Sequence, residues 1–380
     1  MQTFGLAQRT LALVLGVAAL PLTALAQDVA PQRSEIMPLA ATQALILDLT
    51  DAASRAVGVG ERGQILVSES RTEWRQVADV PTRTTLTAVS AVGDAVWAVG
   101  HDGTIIASRD GGLTWALQRE DVLDTSPDAV FDPRQGVPLL DVLMLDANHG
   151  FATGAYAQLL RTDDGGESWH FVSTSGTASA NDGDAIDDTA IDDADAGDDA
   201  DAGDDSWTLS DEDLALDEEN EPHFNAIART GSGALFIAGE RGAAYRSRDG
   251  GTTWERVELP YGGSMFGVIG YAGDHVVVFG MRGNAFESWD LGDSWDAIDT
   301  GTELSLMGGA AYGDAGFALV GANGVVVVRA DAESAPDTQV YANASQETPV
   351  LAGVIVRPNR SLVVSGEKGV DAFRPHALNQ

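Results

Sequence analysis

The stretch Ala98-Val-Gly-His-Asp-Gly-Thr-Ile-Ile-Ala-Ser-Arg-Asp-Gly-Gly-Leu-Thr-Trp115 reads as two strands separated by a tight turn, then a second turn, then a Trp that opens a third strand. Its first turn is Gly100-x-x-Gly103. Its second fits Ser-x-Asp-x-Gly-x-Thr/Ser-Trp, carried by Ser108, Asp110, Gly112, Thr114 and Trp115. The Gly-x-x-Gly turn begins at Gly60, Gly100, Gly239, Gly280, Gly321 and Gly366, and a degenerate copy, Gly154-Ala-Tyr-Ala157, makes a seventh. Successive copies lie 40, 54, 85, 41, 41 and 45 residues apart. Once the two long steps are read as insertions, the spacing is that of a four-stranded blade, about 40–50 residues. The chain is therefore expected to be all-β, a seven-bladed propeller of four-stranded antiparallel blades.

The Trp-ending turn is intact in three further copies. They are Thr162-x-Asp164-x-Gly166-x-Ser168-Trp169, Ser247-x-Asp249-x-Gly251-x-Thr253-Trp254 and Ser288-x-Asp290-x-Gly292-x-Ser294-Trp295. Blade one keeps only Trp74, and blades six and seven lack the motif. An Asp side chain can accept bonds from backbone N–H groups two residues on, and Gly supplies the positive φ where the chain reverses. The Trp is expected to bury its ring between neighbouring blades. The pattern resembles the Asp-box, or bacterial neuraminidase repeat, a folding device shared by unrelated propellers, so these residues are read as structural.

Composition narrows the partners. The formal charge is −36, with one Lys (Lys368) among 22 basic residues, which disfavours nucleic acid and anionic lipid. No Cys is present, so disulfides and thiol chemistry are excluded. Nothing in the sequence points to a cofactor or a metal centre.

Residues 1–26 read as a secretory signal: Arg9 in the n-region, the apolar run Leu11–Leu20, and Ala24-Leu25-Ala26 as the cleavage site. The expectation is an exported, periplasmic protein cleaved after Ala26, with an N-terminal segment over 27–43 and a propeller over 44–380. Strands are expected at 44–49, 55–59, 64–67 and 74–77 in blade one, and at 351–356, 361–364 and 370–373 in blade seven. No fourth strand follows before Gln380, and an open sheet edge is a liability. Residues 34–41 are therefore expected to close the ring as the outer strand of blade seven.

A small insertion spans 121–137 and a large one 175–222. From Asp182 to Glu221 the latter holds nineteen Asp and Glu and no Lys or Arg, and removing them takes the charge from −36 to −17. Such a composition buries too little apolar surface to order itself, and weak calcium binding is the most its carboxylates suggest.

In an antiparallel blade the turn between strands two and three lies on the face that also carries the connection to the next blade. The Asp-box turns lie on the other. The first face collects Arg62, Arg241, Arg282 and Lys368 from the middle positions of the Gly-x-x-Gly turns, with Tyr156 and Tyr261 alongside. Two Gly in a four-residue turn leave those middle positions free. Two readings stand: Arg62 and Arg241 pair locally with Glu61 and Glu240, or the cations form a partner-docking face on which Arg forks onto carboxylates.

The repeated Ala/Val-x-Gly-x-x-Gly turns, the Asp-boxes, the signal segment and the length resemble the photosystem II stability/assembly factor family of seven-bladed propellers, over roughly residues 44–374. The resemblance implies a non-enzymatic protein that binds a membrane-protein subunit through an arginine patch on one face, for which Arg62, Arg241 and Arg282 match by turn position. The acidic insertion departs from the family. Non-photosynthetic relatives imply an accessory to an exporter of the resistance–nodulation–division type. Two alternatives are a sialidase-like glycoside hydrolase, which needs an Arg trio, a Tyr nucleophile and an acid, and a carbohydrate-binding or adhesive propeller using Tyr156 and Tyr261.

Overall fold

The computed structural model describes residues 32–37, 39–121, 135–174 and 221–376. The signal segment 1–26, residues 122–134 of the small insertion and 175–220 of the acidic one lie outside the described residues. Strands pair in chain order into seven antiparallel sheets, six of four strands and a seventh of three. The inner strands are Ile46–Asp51, Leu86–Val92, Leu139–Met144, Phe224–Arg229, Met265–Gly270, Leu306–Tyr312 and Leu351–Val356. Each contacts the inner strand of the next blade, and the last contacts the first, so the ring is closed with sevenfold repetition.

The core lies between blades. Second strands such as Ala56–Gly60, Leu235–Gly239 and Val276–Gly280 are buried at every position, because a sheet covered on both faces has no solvent side. One cluster joins Val57, Val59 and Ile65 of blade one to Leu86, Val96 and Ile106 of blade two. Another joins Val320 and Val326 of blade six to Leu351 and Val364 of blade seven. The Asp-box Trp residues pack into these seams. Trp254 meets Phe151 of blade three edge-on at 6.2 Å, and Trp295 meets Phe236 of blade four at 5.8 Å.

The Gly-x-x-Gly turn is fixed by one contact made seven times. The N–H of its second residue donates to the carbonyl just before the inner strand of the same blade: Glu61 to Leu45, His101 to Thr85, Ala155 to Pro138, Glu240 to His223, Met281 to Ser264, Ala322 to Ser305 and Glu367 to Val350, at 3.0–3.1 Å. The first glycine lies against that carbonyl. A Cβ on Gly60, Gly321 or Gly366 would stand 2.0 Å from it, so only Gly fits.

Closure of blade seven differs from expectation. Residues 34–37 run beside the outer edge of blade one, where Ser34 N donates to the Val80 carbonyl and Met37 N to Gln76 Oε1. The chain then forms a helical turn, Ala40–Gln43, instead of a strand. Ala40 and Ala44 pack with Val363 and Val370 of blade seven and Leu49 and Leu66 of blade one. A Cβ on Gly369 would stand 2.2 Å from the Ala41 carbonyl, while one on the matching Gly63 or Gly324 would meet the Thr82 or Tyr341 carbonyl. The N-terminal segment thus fills the space a fourth strand leaves, by packing and not by ladder hydrogen bonds.

Candidate functional site

The Gly-x-x-Gly turns place their third residues at equivalent points around one face. Arg62, Arg241 and Arg282 are all exposed and all left-handed, with φ of 55°, 52° and 58°. Asp102, Tyr156 and Asn323 hold the same position with φ of 52–55°. The middle positions are therefore not free in six of the seven turns: the third residue enters the left-handed region, which favours Gly, Asn and Asp and is uncommon for Arg, while Lys368 in the seventh turn does not. Blades two and six take the favoured Asp and Asn, whereas blades one, four and five take Arg.

Local pairing does not account for Arg62 or Arg282. Glu61 Oε1 accepts the Leu45 N–H at 3.1 Å, and Glu240 Oε2 stands 3.6 Å from His223 Nδ1. Among the described residues, Arg62 and Arg282 have no side-chain hydrogen bond or ion pair. Lys368 is also exposed but lies 3.5 Å from Glu347. Tyr156 is 43 % exposed and meets the His223 ring edge-on at 5.1 Å, beside Glu240. Tyr261 is half-buried against the core between blades four and five, so it supports the face more than it offers one.

On the opposite face the Asp-boxes act as turn locks. Asp110 Oδ1 accepts the Leu113 and Thr114 N–H groups at 2.9 Å, and the Thr114 hydroxyl donates to Oδ2 at 2.7 Å. Asp164, Asp249 and Asp290 repeat the pattern with Ser168, Thr253 and Ser294. The Ser168 hydroxyl and amide hold the Asp164 carboxyl down to about 2, and Ser294 does the same for Asp290. Burial opposes this at Asp110, yet the Thr114, Ser108 and Leu113 donors still hold it down to about 2. The glycine that follows abuts the preceding blade: a Cβ on Gly112 would stand 2.9 Å from Val57, on Gly166 2.1 Å from Gln118, on Gly251 2.2 Å from Phe151 and on Gly292 2.6 Å from Val257.

Two further groups escaped the sequence reading. Asp48 and Asp141 are each the third residue of an inner strand, directly after the β-bulge that all seven inner strands share. Each spans to the next blade, Asp48 Oδ2 accepting Val89 N–H and Asp141 Oδ2 accepting Ile227 N–H, both at 2.8 Å. Burial pushes both carboxyls up to about 7, against the lowering effect of those amides. The matching Ile-Leu-Asp48-Leu and Leu-Leu-Asp141-Val runs were the available signal. The second group is a buried set between blades five and six: Glu287 pairs with Arg329, at 2.9 Å from Nη1 to Oε2, and with His275 Nε2 at 2.7 Å.

Tyr271 and Tyr341 are poorly placed to act as a hydrolase nucleophile. Burial raises the Tyr271 and Tyr341 hydroxyls well above their usual range, the wrong direction for a nucleophile. Tyr271 donates to the Gly316 carbonyl and Tyr341 to Asp371. Among the described residues no group of three His, Cys, Asp or Glu is disposed to hold a metal ion, and no helix is long and apolar enough to cross a membrane.

Fold and repeats together define an Asp-box β-propeller. The BNR/Asp-box repeat family matches residues 245–256. No curated protein matches the sequence. Among solved structures, "YCF48 bound to D1 peptide" superposes with a TM-score of 0.58 at 14 % identity, over 92 % of this chain and 96 % of that one. YCF48 from Cyanidioschyzon merolae gives 0.57 at 15 %, over 90 % and 98 %. A streptogramin B lyase gives 0.61 at 10 %, over 90 % and 96 %. At these identities the likeness is one of fold, and the fold serves binding proteins and a lyase alike.

Proposed function

We propose that the chain is a non-catalytic, exported propeller that holds a segment of an envelope membrane protein on the face of its Gly-x-x-Gly turns. The observation that carries this reading is the choice of Arg at three left-handed positions where Asn, Asp or Gly costs less, two of those side chains being unpaired among the described residues of a chain with 58 carboxylates. Arginines presented on rigid turns suit forked bonds to a partner's carboxylates or carbonyls. The fold likeness to YCF48, whose structure with a D1 peptide is that of a propeller bound to another protein's segment, supports a peptide-binding use. The finer reading is a periplasmic accessory to a membrane complex, an exporter of the resistance–nodulation–division type being the leading case.

Affinity capture from detergent-solubilised envelope membranes tests this: the wild-type chain is expected to retain one membrane protein in stoichiometric amount. A screen with fluorogenic sialosides and other glycosides is expected to give no turnover. Turnover above background would replace the binding reading with the hydrolase one.

A further inference from the structure

The Asp-box face carries an aromatic column that the docking turns do not use. Trp289 occupies the variable second position of its Asp-box, where the other intact copies have Arg109, Asp163 and Arg248. It is 53 % exposed, and its ring lies flat on that of His275, with centroids 3.8 Å apart and planes 11° from parallel. Buried His275 lies flat in turn on Tyr271, at 4.4 Å and 18°. The base is pinned: the Tyr271 hydroxyl donates to the Gly316 carbonyl at 2.7 Å, and His275 is tied to the Glu287–Arg329 pair. An indole held this way has little rotamer freedom left to lose on binding.

Tyr271 also walls an open cleft of about 450 Å³ on the same face, lined further by Arg229, Gly231, Ala272 and Asp314. Arg229 and Asp314 are exposed and have no side-chain polar partner among the described residues. The acids beside Trp289 are already engaged, Asp274 with Arg248 and Asp293 with Arg246 and Arg248. Trp289 is the only exposed large hydrophobic side chain among the described residues of blades four and five. A protein partner needs on the order of 1,000 Å² with an apolar centre, far more than one indole supplies.

We propose that Trp289 and the adjoining cleft form a binding site for a neutral oligosaccharide. One pyranose ring lays its C–H face on the indole, whose π-face is negative. Neighbouring units bring hydroxyls to Arg229, a donor, and Asp314, an acceptor. The site stands apart from the docking turns, and its failure leaves the proposed function untouched.

The test titrates the full chain with cellohexaose, maltohexaose and chitohexaose, followed by tryptophan fluorescence and calorimetry. At least one is expected to bind saturably with a change in indole emission. Trp289→Ala is expected to weaken it tenfold or more, Trp289→Phe less, and Asp314→Ala about threefold, in line with one lost stacking or hydrogen-bond contact. Asp314 sits in an exposed hairpin turn, so its variant keeps the test alive if Trp289→Ala misfolds. Absence of binding by all three sugars, or unchanged affinity in both the Trp289 and Asp314 variants, overturns the proposal.

Discussion

At Asp48 and Asp141 a carboxylate is set where a charge is costly, and the consequence is a pH dependence with a definite sign. Their folded values of about 7 exceed the ordinary value of 3.8. Between those limits the folded state binds more protons than the unfolded one, so stability falls as pH rises from 4 to 7. The Asp-box carboxylates, held at about 2, act oppositely and lose their contribution below pH 4. Maximum stability is thus expected near pH 4–5, measured by urea unfolding across pH. Asp141→Asn keeps an acceptor for Ile227 N–H while removing one of two titrating groups that repel each other, so the slope between pH 4 and 7 should fall by at least half. An unchanged slope would place the titration elsewhere. A smaller effect is expected at Ala157, which takes φ of 52° where the six other turns have left-handed Gly. Ala157→Gly should stabilise by about 0.5 kcal/mol, visible as a higher urea midpoint. A lower midpoint would mean that the lost methyl contact outweighs the relief of backbone strain.

At the scale of the element, the turns were legible in the sequence because their chemistry is local. Asp110 finds its donors three and four residues on, and a Gly-x-x-Gly turn docks on its own blade. Strand bounds such as 351–356 followed from this punctuation. Contacts between blades were not legible. Asp48 meets Val89 across 41 positions and Asp141 meets Ile227 across 86, distances at which no spacing rule operates. The N-terminal strand failed for a related reason: closing the ring requires apolar cover, which the Ala40–Gln43 turn supplies without a ladder. Glu287 was invisible too, because its partner Arg329 belongs to the next blade. Glu287→Ala leaves Arg329 buried and uncompensated, and should cost about 3–5 kcal/mol in thermal or urea unfolding. A loss below about 1 kcal/mol would show that water reaches the guanidinium in the folded state.

The whole molecule divides its labour between two faces. Asp-box turns bury their glycines against the preceding blade and so hold the seams, while the Gly-x-x-Gly turns hold exposed arginines in a fixed, left-handed setting. The arginine positions were readable from the repeat, but their conformational cost appeared only with the backbone angles. That cost is what separates a chosen arginine from a tolerated one. The strongly acidic remainder discourages nucleic acid and anionic lipid, and on the proposed function these arginines are the contact points. The most direct test is membrane-protein capture by three chains in parallel: wild type, Arg62→Glu with Arg241→Glu and Arg282→Glu, and Trp289→Ala as a control on the other face. The account predicts that the wild type and Trp289→Ala retain the same partner and the triple variant loses it. Undiminished capture by the folded triple variant would contradict it.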